Sequence, residues 1–271
     1  TRCGVSGLRP TFGRVSRYGA MALSWSMDKI GPMCRSVEDC ALVFSAIYGP
    51  DGHDLSISPE PFTWDPALDP QSLRVGYVAA GFEPEAAATD DPEKQALYRT
   101  NLENSVAAVE VMRARGFDLI PIELPARDTS GLWTILAAEA AAAFDQITRD
   151  GSVDTMARQD DSAWPNVFRA ARFIPAVEYI NANRVRTLLM ADMARLMADV
   201  DVFIVPSHGA NVLPITNFTG HPTVVAPNGF TDKGTPTSIS FVGGLYQEAE
   251  TLTVAKAYQD ATDWHLQYPQ I

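Results

Sequence analysis

Asp201-Val-Phe-Ile-Val-Pro-Ser207 and, ten residues further on, Asn217-Phe-Thr-Gly-His-Pro-Thr-Val-Val-Ala-Pro-Asn-Gly-Phe230 decide the fold class. Val202 to Val205 and Thr223 to Ala226 are short apolar runs closed off by turn-forming residues. A strand covered on both faces needs apolar side chains on both, so these runs predict buried central strands. Leu73 to Ala79, Phe117 to Leu124 and Thr237 to Val242 read as further strands. Helical patterns lie between them. Ser36-Val-Glu-Asp39 is a capping box, which ties up orphan backbone N–H groups and predicts a helix as far as Tyr48. Within Pro92 to Arg115 the set Leu102, Val106 and Val109 recurs at helical spacing, and Gly116 stops it. An Ala-rich helix is predicted over Leu132 to Arg149. A longer one runs over Phe173 to Ala198, with Val185, Leu189, Met193 and Leu196 on one face, and Gln247 to Thr262 closes the chain. Strands alternating with helices give an α/β layered fold. Gly49 to Gln71, rich in Pro, Asp, Ser and Gly, reads as a surface excursion between two elements.

Composition narrows the function. A hydrophobic content of 46% over 271 residues permits a large core. No apolar run approaches the roughly 18 residues of a membrane span, and no signal peptide is visible. The net charge of −12 disfavours direct contact with nucleic acid and reads as solubility. Cys3, Cys34 and Cys40 fit no metal-binding spacing and point to small buried side chains in a reducing, cytoplasmic setting. His53, His208, His221 and His265 form no HxxxH or HExxH pattern, so no metal site and no cofactor is expected.

Several ordered stretches carry a resemblance. Cys3-Gly-Val-Ser-Gly-Leu-Arg-Pro-Thr-Phe-Gly-Arg-Val-Ser-Arg-Tyr-Gly19 is followed by Ser26-Met-Asp-Lys-Ile-Gly-Pro-Met-Cys-Arg-Ser-Val-Glu-Asp39. Leu73 to Val78, Tyr179 to Leu189, Asp201 to Ser207, Asn217 to Phe230 and Pro236 to Gly243 follow in order. Together they resemble the amidase signature family. The resemblance implies one mixed β-sheet covered by helices on both faces, a single domain over residues 1–271 that lacks its N-terminal side. It implies hydrolysis of carboxylic amide C–N bonds by a serine nucleophile, a second serine on a cis peptide and a lysine. In the family pattern that set precedes the segment beginning at Thr1, so no catalytic residue is assigned and the chain alone is expected to be inactive. A small-molecule amide is the expected substrate. The alternatives are the A subunit of a glutamine-dependent tRNA amidotransferase, working with partner subunits, and a non-catalytic fragment; a homodimer is left open.

Among the residues present, Arg186 is the candidate for substrate binding. It matches the arginine of the family's VRTLI-like run, and a guanidinium suits a carboxylate. Against this stands a plain salt bridge. Ser24, Ser26 and Lys29 could form a Ser–Lys pair, but the family pattern places this stretch in packing. Asp28 reads as a turn anchor. His221 reads as a solvent-exposed turn residue, with substrate contact as the alternative. No Asp or Glu lies between Pro206 and Asn217, which speaks against glutamine specificity.

Overall fold

The computed structural model of the protein describes residues 2–84 and 90–268. Its described residues form a seven-stranded mixed sheet in the order β2-β1-β6-β7-β5-β3-β4. The strands are β1 (Ser6–Arg9), β2 (Met33–Cys34), β3 (Val75–Val78), β4 (Ile120–Ile122), β5 (Val202–Pro206), β6 (Thr223–Phe230) and β7 (Pro236–Gly243). Strand β3 is parallel to β4 and β5, whereas β5–β7, β6–β7, β1–β6 and β1–β2 are antiparallel.

Side-chain alternation along the central strands divides the core into two layers. Val202 and Ile204 of β5 join Ile239 and Phe241 of β7 on one face. Phe203 and Val205 point to the other, with Val242. The first face is covered by α1 (Val37–Ile47), α2 (Pro92–Ala114) and α8 (Glu248–Gln259) through Phe44, Met112 and Leu252. The second is covered by α3 (Trp133–Ala143), α6 (Ala176–Leu196) and α7 (Val212–Thr219) through Ile135, Leu189, Met193 and Ile215. The short helices α4 (Asp145–Arg149) and α5 (Trp164–Ala171) extend the layer of α3.

The capping box forms: Ser36 Oγ accepts from Asp39 N at 3.0 Å and Asp39 Oδ2 from Ser36 N at 3.2 Å. Gly116 ends α2 at φ +88°, a left-handed conformation that costs glycine little. Other expectations are corrected. The helix read over Leu132 to Arg149 breaks at Phe144 into α3 and α4. The long helix begins at Ala176, because Pro175 holds the preceding residue out of the helical region. Val185 is 37% exposed, so the buried stripe of α6 is Ala182, Leu189 and Met193. Residues 212–219, of which the sequence reading places only the last three, in the turn that holds His221, are α7. Its Pro214 lies in the first turn, where an N–H has no intrahelical partner anyway. Strands β1 and β2 are too short to stand out in the sequence, and α5, although it buries Pro165, Phe168 and Ala171 on one side, has only 8 residues.

The Gly49–Gln71 excursion is fastened from inside. Arg14 is fully buried and its guanidinium reaches the carbonyls of Glu60 and Pro61. It lies 3.4 Å from the buried Glu248 carboxylate and 5.3–5.7 Å from the ring centres of Phe44, Tyr48 and Tyr246. A buried guanidinium is tolerable only with this degree of pairing.

Candidate active site

In an open α/β sheet, ligands gather beyond the carboxyl ends of the parallel strands. Here a cleft of about 710 Å³ lies at that edge. Ala80 and Gly81 follow β3, residues 206–211 follow β5, and Lys94, Tyr98 and Asn101 of α2 form the opposite wall. Ser238 of β7 completes the floor. Ser207 accepts hydrogen bonds from Ser238 Oγ at 2.8 Å and Ser240 Oγ at 2.9 Å. The three hydroxyls meet because Ser240 pairs in register with Val205, so Ser238 and Ser207 fall beside each other on the same face. The loop that brings Ser207 there is strained: Ala210 and Asn211 have φ of 51° and 55°. Non-glycine residues in that region persist where surrounding contacts hold them, and they cluster at sites of function. Asn211 is held by Nδ2 donating to Thr129 Oγ1 at 2.9 Å.

The sequence-predicted residues lie elsewhere. Arg186 is half-buried on α6 and does not line the cleft. Its Nε donates to the Phe218 carbonyl at 2.5 Å, Nη1 to Ser26 Oγ at 2.8 Å and Nη2 to the Ser26 carbonyl at 2.8 Å. It therefore ties the last turn of α7 to the 24–28 turn. Burial lowers its pKa, and Glu139 works in the opposite direction. Glu139 is the hub that the sequence reading missed. Its carboxylate accepts from Ser24 Oγ at 2.5 Å, Ser26 N at 3.1 Å and Tyr179 Oη at 2.8 Å. Burial would raise the Glu139 pKa, but these hydrogen bonds outweigh it and the net shift is downward. The signal available was one acid inside the Ala-rich run Ala137 to Ala143.

Asp28 anchors its turn, with Oδ2 accepting from Leu23 N at 2.8 Å and Ser24 N at 2.9 Å. Lys29 Nζ donates to the Met27 carbonyl at 2.6 Å and sits 3.5 Å from the Asn217 carbonyl, and it bonds to neither Ser24 nor Ser26. His221 is 3% exposed, so the solvent-exposed reading is corrected. Its Nδ1 is 2.7 Å from Thr219 Oγ1, and burial, reinforced by Arg9, lowers its pKa to about 4. Among the described residues no group of three or more His, Cys, Asp or Glu is placed to hold a metal.

Comparison with known proteins gives the family. Residues 1–252 match the family model described as Amidase. The chain belongs to the amidase family. It is 30% identical to the A subunit of glutamyl-tRNA(Gln) amidotransferase from Chloroflexus aggregans and 32% identical to that from Roseiflexus castenholzii. Each comparison covers 99% of this chain and 61% of the relative, so the amidase-family chain spans less than two thirds of their length. Among solved structures it superposes on 6-aminohexanoate cyclic dimer hydrolase with a TM-score of 0.78 at 19% identity, covering 99% of this chain and 62% of that one. Native peptide amidase from Stenotrophomonas maltophilia gives a TM-score of 0.71 at 25% identity, covering 95% of this chain and 58% of that one. The mixed sheet with helices on both faces is therefore the fold shared with amidase-family enzymes.

Proposed function

We propose that this chain is the C-terminal portion of an amidase-family enzyme that cleaves carboxylic amide C–N bonds. The observation that carries the reading is the family match over residues 1–252, joined to a cleft at the carboxyl edge of the sheet. In this reading a serine, a cis-peptide serine and a lysine in a preceding segment supply the chemistry. A serine hydroxyl is a weak nucleophile until a base takes its proton, and backbone N–H groups must then stabilise the oxyanion. The cleft would receive the amide. Asn101, Asn211 and Ser207 offer polar contacts in it, and Leu97 and Tyr98 offer an apolar wall. Arg186 lies outside this cleft; two of its guanidinium N–H groups remain beyond its three bonds, so a substrate carboxylate would have to reach it from beyond the cleft wall.

The names of the relatives favour a second reading, an amidotransferase A subunit working with partner chains. The stretch between Pro206 and Asn217 weighs against glutamine as the substrate, because it holds no acidic side chain for an α-amino group. The test is ammonia release by the chain alone and by the chain joined to an upstream family segment, with acetamide, benzamide and glutamine. The longer protein is expected to act on simple amides without a partner, and the chain alone to be silent. Strictly glutamine-dependent, partner-dependent release would favour the second reading. Activity of the chain alone, abolished by Ser26→Ala, would overturn the assignment of catalysis to another segment.

A further inference from the structure

A second cleft, of about 420 Å³, opens between residues 17–30 and 53–55, and Lys29 lies in its wall with Arg17, Trp25 and Asp28. Lys29 differs from the other three lysines of the chain. Lys94 lies 3.5 Å from Asp91, Lys233 lies 3.0 Å from Glu93 and Lys256 lies 2.6 Å from Asp260. Among the described residues Lys29 forms no ion pair, only contacts to the Met27 and Asn217 carbonyls. Its electrostatic surroundings are cationic: Arg9 of β1, Arg186 of α6 and Arg17 all act on it, opposed by Asp28. The neighbouring carboxylates are already committed. Asp28 accepts from two backbone N–H groups, Asp54 binds Arg17 at 2.9 Å, and Glu139 is taken by Ser24, Ser26 and Tyr179. Among the described residues Arg9 also has no carboxylate partner. Its Nη atoms donate to Asn217, Thr216 and Thr223, and its buried Nε has no partner. The remaining titratable group in the cleft, His53, is stacked on Tyr18 at 4.4 Å.

We propose that Lys29 is a carbamylation site, at which the amine adds dissolved carbon dioxide and the resulting carbamate supplies an anion for Arg9, the neighbouring guanidinium that has no carboxylate partner among the described residues. The reaction balances without a redox partner. The Nζ lone pair attacks the carbon of carbon dioxide, an N–C bond forms, and one C–O π pair moves onto oxygen. An amine proton then leaves to water or bicarbonate. The step needs the neutral amine, and the cleft provides it. Burial, then Arg9 and Arg186, lower the Lys29 pKa to about 7. A free lysine is almost wholly protonated at neutral pH. The product turns a neutral amine into an anion, which the charges of Arg9 and Arg186 attract and that of Asp28 opposes. The carbamate N–H can still donate to the Met27 carbonyl, and its carboxylate has the cleft to occupy.

The test uses the whole chain, equilibrated with ¹³C-bicarbonate at mildly alkaline pH. Carbamates are trapped with a trialkyloxonium salt and mapped by peptide mass spectrometry. Trapped label at Lys29 is expected to exceed that at each of Lys94, Lys233 and Lys256 by about tenfold or more, since only Lys29 is substantially neutral. The melting temperature should rise under carbon dioxide in the native protein and stay constant in Lys29→Arg. Equal labelling of all four lysines, or none at Lys29, would overturn the proposal. Should Lys29→Arg fold poorly, the distribution of label in the unaltered protein still decides.

Discussion

The turn at residues 23–28 and the loop at residues 206–211 both place serines beside longer polar side chains, yet the two regions are built in opposite ways. In the first, Ser24, Ser26, Glu139, Tyr179 and Arg186 satisfy one another across three segments of chain. In the second, Ser207 and Asn211 face a cleft, and two residues sit in a strained backbone region. A side chain that spends its donors on the protein is a brace. One that is held on one side and open on the other is available to a ligand. Residue type alone does not separate these cases, because serine serves both. What separates them is how many of their hydrogen-bonding positions the fold has already filled.

Four substitutions would break or sharpen this contrast, given from the largest expected effect to the smallest. Glu139→Ala removes the acceptor for Ser24, Ser26 and Tyr179 and leaves a buried hydroxyl unpaired. A loss of about 3 kcal/mol or more is expected from hydrogen bonds to a charged group, read as a shift in the urea midpoint. A change below about 1 kcal/mol would mean that the brace is ornamental. Arg186→Ala unties α7 from the 24–28 turn and should cost about 2 kcal/mol. In the longer protein its kcat/KM on a carboxylate-bearing amide and on a neutral one separates bracing from recognition: a selective loss on the charged substrate supports a substrate contact, and equal losses accompanied by a lower melting temperature mark a brace alone.

At the cleft the expected signs differ. Ala210→Gly relieves a left-handed alanine at φ 51° and should raise stability by about 1 kcal/mol, seen as a higher melting temperature. A lower melting temperature would show that the methyl group packs usefully. Asn101→Ala should change stability by no more than about 0.5 kcal/mol while raising KM for an amide in the longer protein. Unchanged KM would remove that wall from the proposed site.

Acidity offers a further measurement. The folded-state pKa of Lys29 is lowered from 10.5 to about 7, so the unfolded chain binds more protons across that window. Stability contributed by this group therefore rises with pH from about 7 to 10.5 and is lost as the pH falls through that window. His221, lowered from 6.5 to about 4, adds a second rise between those values by the same sign. Lys29→Met should flatten the upper slope of the denaturation midpoint against pH, and His221→Asn the lower. An unaltered upper slope in Lys29→Met would show that its amine is solvated and ordinarily basic.

Much of the architecture was legible in the chain. The runs Val202–Val205 and Thr223–Ala226 are strands buried on both faces. The Ser36–Asp39 box caps α1, and Gly116 ends α2. These signals are local: a two-sided apolar run, a side chain three residues from its partner and a glycine at a stop each act within one turn of chain. Helix α7 escaped because its eight residues include Pro214 and Gly220 follows directly, so that punctuation hides its period. Strand β2, with two residues, has no period to detect.

The site was far less legible, for a reason of distance. Arg186 could be chosen from its local run, but the bonds that occupy it come from residues 160 and 32 positions away. Glu139 meets Ser24 across 115 positions, and Ser207 meets Ser238 across 31. Hydrophobic pattern and capping, which act between neighbours, determined from the sequence by itself that strands and helices alternate and that the runs at 202–205 and 223–226 are buried strands; the single mixed sheet covered on both faces was implied by the resemblance. The tertiary structure alone decided which polar side chains are spent on bracing, which face open space and which lysine is left among arginines. Those outcomes depend on the strand order and on contacts between remote segments, which the order of residues along the chain does not display.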